Sequence, residues 1–206
     1  MPKLDPAHAA VVARIHRSGL RMGRLVDDLI DYTRTHLGSA LPMTVSKANM
    51  GTIARASVDE CRLAHPERSI HFVPGADQDG IWDEGRIAQV FSNLLGNAIQ
   101  HGADKEPISL LIESGGNDIM VRIHNKGKPI APAAIATIFD PLVRFACADG
   151  QQHGSEHSLG IGLYIARAIV MAHGGAIGVT SDAAHGTTFS VRLPRIPPLP
   201  AVAKLH

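Results

Sequence analysis

No stretch of this 206-residue chain approaches the run of about 20 apolar residues that a helix needs to cross a bilayer, and the N-terminus lacks a signal-peptide core. Only two cysteines are present. Cys61 and Cys147 form no C-x-x-C pair and no disulfide framework, which suits a reducing compartment. An excess of one charge is also missing: 20 basic residues against 19 acidic ones leave a formal net charge of +1, so nothing argues for nucleic acid or an acidic substrate as partner. These absences describe a soluble cytoplasmic protein with no membrane segment. Its length allows one medium domain with an appendage, or two small domains.

What is present is organised around residues 86–102, RIAQVFSNLLGNAIQHG. Ile87, Val90, Phe91, Leu94, Leu95 and Ala98 recur at helical spacing and predict one buried stripe. Asn93 and Asn97 lie off that stripe, one turn apart, and share a face. An amide can turn its oxygen to a hard cation and its nitrogen to a phosphate oxygen. Mg²⁺ keeps several waters while sharing phosphate oxygens, so one amide on a rigid helix is a sufficient protein anchor. On this helix alone, two asparagines at the solvent edge are the simpler reading.

Over residues 5–36 the apolar positions Val11, Ile15, Met22, Leu25, Leu29 and Tyr32 alternate by fours and threes, with Ser18 in the remaining seam place. That heptad seam predicts a long helix suited to packing on its own domain or to a bundle with another helix or subunit. Residues 36–42, with Gly38 and Pro42, read as a linker. Beyond it the pattern predicts a strand at 43–46, a helix at 49–64 capped by Asn49, strands at 69–73 and 80–82, and Asp83 as the cap of the central helix. Strands at 108–113 and 118–124 flank a turn at 114–117. A short helix at 133–138, a helix at 160–173 and a strand pair at 176–181 and 187–193, joined across His185 and Gly186, complete the order.

Strands joined by hairpins and followed by helices argue an α+β fold. The expected architecture is a two-layer sandwich, with a mixed sheet covered by helices on one face and the long N-terminal helix added to it. The chain then divides into helix and linker (1–41), a main domain (42–194) and an unpacked, Pro-rich tail (195–206).

The pattern Q-V-x-x-N-L-x-x-N-A in the central helix resembles the N box of sensor histidine kinases, within the ATPase superfamily shared with gyrase, Hsp90 and MutL. The likeness runs over residues 14–194. The segment R-M-G-R-L-V-D-D-L-I-D-Y-T-R resembles the second helix of the dimerisation and phosphoacceptor hairpin, which implies a homodimer through the N-terminal helix. Asn125 stands where the family has an Asp that holds adenine, followed by Gly127 and by Pro129 in place of a second glycine. A neutral acceptor for a charged one weakens binding by about 1 kcal/mol, or roughly fivefold.

Residues 138–145 are similar to the F box, in which Arg144 takes the place of a basic residue that meets the phosphates. Residues 146–157, rich in Gly, Gln, Ser and His, have the composition of a lid or of a plain loop. Gly160 and Gly162 look like the G2 box, where Ser158 departs from a first glycine. Glycines let backbone N–H groups approach phosphate oxygens, and the helix start that follows, including Leu163, favours negative charge. Gly186-Thr187-Thr188-Phe189 closes the series. His101 lies where the family often has an aromatic over the adenine, and Lys126 and Lys128 read as solvated.

The resemblance implies ATP and Mg²⁺ as cofactors. Asn97 would serve Mg²⁺, Asn93 and Arg144 the phosphates, Asn125 the adenine, and Gly160 and Gly162 the phosphate-facing turn. The family's acceptor histidine is followed directly by an acidic residue, yet none of the twelve histidines here precedes Asp or Glu. His8 and His16 fit the second hairpin helix instead. The expected reaction is therefore transfer of the ATP γ-phosphoryl group to a histidine on another segment or chain, a phosphoacceptor hairpin in trans, with a response regulator downstream and sensing placed elsewhere. A non-catalytic adaptor or phosphotransfer scaffold of the same fold is the alternative, supported by Asn125, Pro129 and Ser158. A protein-serine kinase of the anti-sigma type is a third, against which the bundle-like helix argues.

Overall fold

The alternation of inward and outward residues fixes the main sheet. The computed structural model describes residues 6–142 and 160–197. Its elements in order are α1 (Pro6–His36), β1 (Ser46–Asn49), α2 (Met50–Ala64), β2 (Ile70–Val73), β3 (Asp79–Trp82), α3 (Glu84–His101), β4 (Ile108–Gly115), β5 (Asp118–Asn125), α4 (Pro132–Ile135), α5 (Gly162–Ala172), β6 (Ala176–Asp182) and β7 (Gly186–Pro194). The larger sheet has five strands in the order β2-β4-β5-β7-β6. β2 runs parallel to β4 and the other pairs are antiparallel, so the sheet is mixed.

Every second residue of the long strands is buried: Ile108, Leu110 and Ile112 on β4, Ile119, Val121 and Ile123 on β5, Phe189, Val191 and Leu193 on β7. Onto this face α2 sets Met50, Ile53, Ala54 and Val58, α3 its complete expected stripe from Ile87 to Ala98, and α5 Ile165, Ala166, Ile169 and Val170. Burial of each large aliphatic side chain contributes about 2 kcal/mol, several times the spread of helix propensities among ordinary residues, so packing rather than propensity holds these helices. The result is the expected two-layer α+β sandwich.

Three expectations shift. The strand expected at 43–46 forms at Ser46–Asn49, because its pairing with β3 sets Ser46 opposite Trp82 and Asn49 opposite Asp79. This pair makes a separate two-stranded sheet rather than an edge of the main one. The last helix starts at Gly162, since Gly160 has φ +71° and stands outside it. The short helix covers only Pro132–Ile135. At the other end, the segment expected to be an unpacked tail begins with a packed residue. Arg195 accepts from Ile81 N at 2.7 Å and donates to Asn117 O at 2.8 Å through its backbone. Its guanidinium bonds to Gly116 O and Asp79 O, and Pro194 O accepts from the Trp82 indole at 2.8 Å. Residues 198–206 lie outside the described range.

Asn49 and Asp83 cap their helices as expected, Asp83 Oδ1 accepting from Arg86 N at 3.1 Å. Asp83 does more than cap: its Oδ2 accepts from Thr44 N at 2.6 Å, and its own N–H donates to His173 Nε2 at 3.0 Å. Since Nε2 must accept there, the imidazole proton sits on Nδ1, which donates to Ile169 O at 2.9 Å. His173 is fully buried, and burial holds its pKa below the ordinary value.

The folded state therefore resists a proton that the unfolded chain takes up near pH 6.5. The stabilisation is complete above that pH and is lost as pH falls below it, toward the depressed folded value. Unfolding in urea at pH 7.5 and 5.5 should show a loss of stability in acid that is smaller in His173→Gln. An equal loss in the variant would clear His173 of that role.

Candidate functional site

Helical spacing carries Asn93 and Asn97 to the edge of the α3 stripe, where both are half-buried. Asn93 Nδ2 donates to Gly162 O at 3.0 Å, across to the start of α5. A Cβ on Gly162 would stand 3.2 Å from Asn93 Oδ1, a tight contact that the asparagine side chain would have to relieve by shifting. The second N–H of the Asn93 amide is left for another acceptor. Asn97, one turn further on the same face, donates to none of the described residues and keeps its amide available.

Ile161 occupies the N-cap position of α5 without a side-chain hydrogen bond, so among the described residues no side-chain oxygen caps the first N–H groups of the helix, at Gly162, Leu163 and Tyr164. Such a turn is a site for a phosphate or carboxylate. Just before it, Gly160 adopts φ +71°, a conformation that side-chain-bearing residues rarely take. Its carbonyl accepts from Leu142 N at 3.1 Å, which brings the last described residue of the F-box-like segment to the glycine turn. Phe139 of that segment packs edge-on against Phe189, with ring centroids 6.3 Å apart. Arg144, residues 146–157 and Ser158 lie outside the described residues.

The other end of the site follows from strand parity. Asn125 continues the inward series of Ile119, Val121 and Ile123, and Thr187 continues that of Phe189, Val191 and Leu193. The two are register partners and are buried, 3% and 5% exposed, so the helix-facing layer turns polar at this end. Ser181 Oγ and Thr187 Oγ1 share a hydrogen bond of 2.7 Å, and Ser181 accepts from Ile130 N at 2.9 Å. Asn125 Nδ2 donates to Lys126 O at 3.3 Å.

Gly127 closes against the end of α3, where a Cβ would stand 2.5 Å from His101 O, and Ala103 N donates to Lys126 O at 2.7 Å. His101 is an exposed residue, yet the groups crowding its ring lower its pKa by desolvation. A neutral imidazole on this exposed helix end can stack on a planar ring. Among the described residues no group of three or more His, Cys, Asp or Glu forms a metal cage. The Asn97 oxygen suits a cation that takes its remaining ligands from phosphate and water.

Sequence reasoning brought together Asn93, Gly160 and Gly162 at one end, and Asn125, Gly127 and His101 at the other. It missed Ser181 and Thr187 as neighbours of Asn125, although Thr187 sits in the recognised closing block. It also missed how α1 is held. Asp31, 3% exposed, receives both Nη atoms of Arg86, Nη2 to Oδ1 at 3.1 Å. Arg86 Nη1 also donates to Gln89 Oε1 at 3.0 Å, and Gln89 Nε2 donates to Asp28 Oδ1 at 3.0 Å.

Tyr32 meets Tyr164 of α5 edge-on at 5.7 Å. Beside these contacts a cleft of about 650 Å³, lined by Asp27, Asp31, Arg34, Glu60 and Arg86, reaches Asn93. Along α1 the seam residues Val11, Ile15, Met22 and Leu29 are 47%, 65%, 62% and 49% exposed, and among the described seam positions Leu25 and Tyr32 are half-buried. Among the described residues no helix is long and apolar enough to cross a membrane.

Residues 82–197 match the model of the histidine kinase-, DNA gyrase B-, and HSP90-like ATPase family. The chain is similar to the bacteriophytochrome of Pseudomonas aeruginosa, 33% identical over 181 residues that cover 87% of this chain and 24% of that protein. It is also similar to the sensor protein SrrB of Staphylococcus aureus, 28% identical over 181 residues, 85% of this chain and 30% of SrrB. The chain thus spans less than a third of the length of these curated relatives. Among solved structures, the catalytic domain of histidine kinase ThkA superposes with a TM-score of 0.63 at 25% identity, covering 75% of this chain and 98% of that one. Full-length ShkA in complex with AMPPNP superposes with a TM-score of 0.69 at 24% identity, covering 94% of this chain and 40% of ShkA.

Proposed function

This chain belongs to the histidine kinase-, DNA gyrase B-, and HSP90-like ATPases, and from that premise we propose that it binds Mg-ATP and passes the γ-phosphoryl group to a histidine on a phosphoacceptor hairpin supplied by another segment or chain. The observation that carries this reading is the start of α5, which no side chain of the described residues caps and which Asn93 braces at 3.0 Å, with the amide of Asn97 one turn further along α3. The AMPPNP bound by the similar ShkA supports ATP as the ligand. Asn97 would hold Mg²⁺ through its oxygen. The ion, when bound, neutralises phosphate charge.

The N–H groups of Gly162, Leu163 and Tyr164 would receive phosphate oxygens, as would the second N–H of Asn93. Arg144, outside the described residues, is proposed for the same task. Asn125 and Gly127 would seat the adenine, with the His101 ring against it. No side chain of this chain is assigned as general base, because the acidic group that would assist belongs beside the acceptor histidine. A homodimer through the exposed seam of α1 and a response regulator as downstream partner complete the proposal.

Calorimetric titration with Mg-ATP tests the first half: no binding would sink it. Labelled ATP tests the second. The chain alone should acquire no acid-labile phosphate, since in-line attack needs an imidazole held at the γ-phosphorus, and His8 stands exposed on α1. A hairpin bearing a His-Glu or His-Asp pair, added in trans, should become labelled. Strong self-labelling lost in His8→Ala or His16→Ala would make α1 itself the acceptor. Binding without transfer to any hairpin would favour the adaptor reading.

A further inference from the structure

Arg68, in the turn before β2, has a side chain only 4% exposed. Its Nη1 donates to Ala103 O at 3.1 Å and to Asp104 Oδ1 at 3.2 Å. Nε and Nη2 are buried and find no partner among the described residues. A guanidinium presents five N–H donors, and leaving charged donors unmet in the interior is far costlier than leaving them in water. Support for the loop that follows α3 therefore uses one nitrogen and leaves two unexplained.

Their place is fixed by Gly102. The point where a Cβ of Gly102 would stand lies 2.9 Å from Arg68 Nη2 and 3.3 Å from Asn125 Cβ. The unmet Nη2 and the Cβ of the buried asparagine thus lie close to one point beside Gly102, the residue after His101.

At position 6 adenine carries an amino donor and guanine an oxo acceptor. A carboxylate accepts only, so an Asp at position 125 would welcome the amino group and repel the oxo group. An amide can present either end, and the cationic N–H groups beside it favour an acceptor. We propose that Arg68 and Asn125 together read position 6 of a purine, and that this site takes guanine as well as adenine nucleotides. The inference rests on the nucleotide-binding reading above and extends it to base selectivity.

Calorimetric titration of the full chain with Mg-ATP and with Mg-GTP tests it. The two dissociation constants should lie within about tenfold of each other, where a carboxylate-based site would separate them by about a hundredfold. Arg68→Met should move the GTP to ATP affinity ratio against GTP by about tenfold. A merely structural Arg68 would weaken both nucleotides alike and leave the ratio unmoved. Asn125→Asp should move the ratio in the same direction, and it decides the matter if Arg68→Met does not fold. Binding of ATP with GTP a hundredfold weaker in the unaltered chain, or a ratio unmoved in the variants, would overturn the inference alone. Failure of both nucleotides to bind would instead overturn the nucleotide-binding reading and this inference with it.

Discussion

Asn97→Ala should abolish Mg²⁺-dependent ATP binding and leave the melting temperature within a few degrees of the parent. The half-buried amide stands off the apolar stripe of α3 and donates to none of the described residues, so its removal opens no core cavity and strands no buried partner. Substitutions without such consequences stay within about 1 kcal/mol. In the site the loss is different in kind. Mg²⁺ demands near-octahedral oxygen geometry and takes few protein ligands, so on the proposed assignment the loss of Asn97 would leave the ion held by phosphate and water alone. Calorimetry with and without Mg²⁺ reads the outcome directly. A folded variant with unchanged affinity would remove Asn97 from the site.

The second large effect concerns the attachment of α1. Arg86→Ala leaves Asp31, with a side chain 4% exposed, without its cation. Breaking a buried pair from one side costs about 3–5 kcal/mol where the stranded charge stays buried. Here α1 has an escape, since swinging away returns Asp31 to water, so the cost is capped by whatever docks the helix. Among the described residues those contacts include Tyr32 on Tyr164 and Gln89 with Asp28 and Asp31. The expected result is therefore release of α1 rather than unfolding of the domain.

Hydrogen exchange should show faster exchange over residues 25–36 in Arg86→Ala, with the β4, β5 and β7 amides unchanged. The double variant Asp31→Leu with Arg86→Leu removes both charges and should restore much of the protection. Unaltered exchange in Arg86→Ala would show that the pair does not hold the helix.

The parts of this architecture legible in the sequence are those set by local periodicity. The α3 stripe is buried at all six spaced positions, Asn49 and Asp83 cap as their types suggest, and the parity of β5 sends Asn125 inward. The parts that escaped are set by partners far apart in the chain. Arg86 meets Asp31 across 55 positions and Arg68 meets Ala103 across 35, and no spacing rule links them. β1 was displaced for the same reason. Met43 and Val45 look like strand residues, but the register against Trp82 decides the pairing and leaves Val45 45% exposed. The helix expected from Gly160 begins two residues later because a left-handed glycine cannot be told from a helical one by its letter.

α3 and α5 run in opposite directions and are cross-braced at two levels, by Asp83 with His173 at one and by Asn93 with Gly162 at the other. Ten residues of helix separate Asp83 from Asn93, about 15 Å along the axis. Two rungs at that separation make a stiff frame: sliding one helix along the other must break both, and tilting must stretch one. The width of the glycine turn is therefore governed in part from its far end, where Thr44 of the segment leading from α1 also grips Asp83.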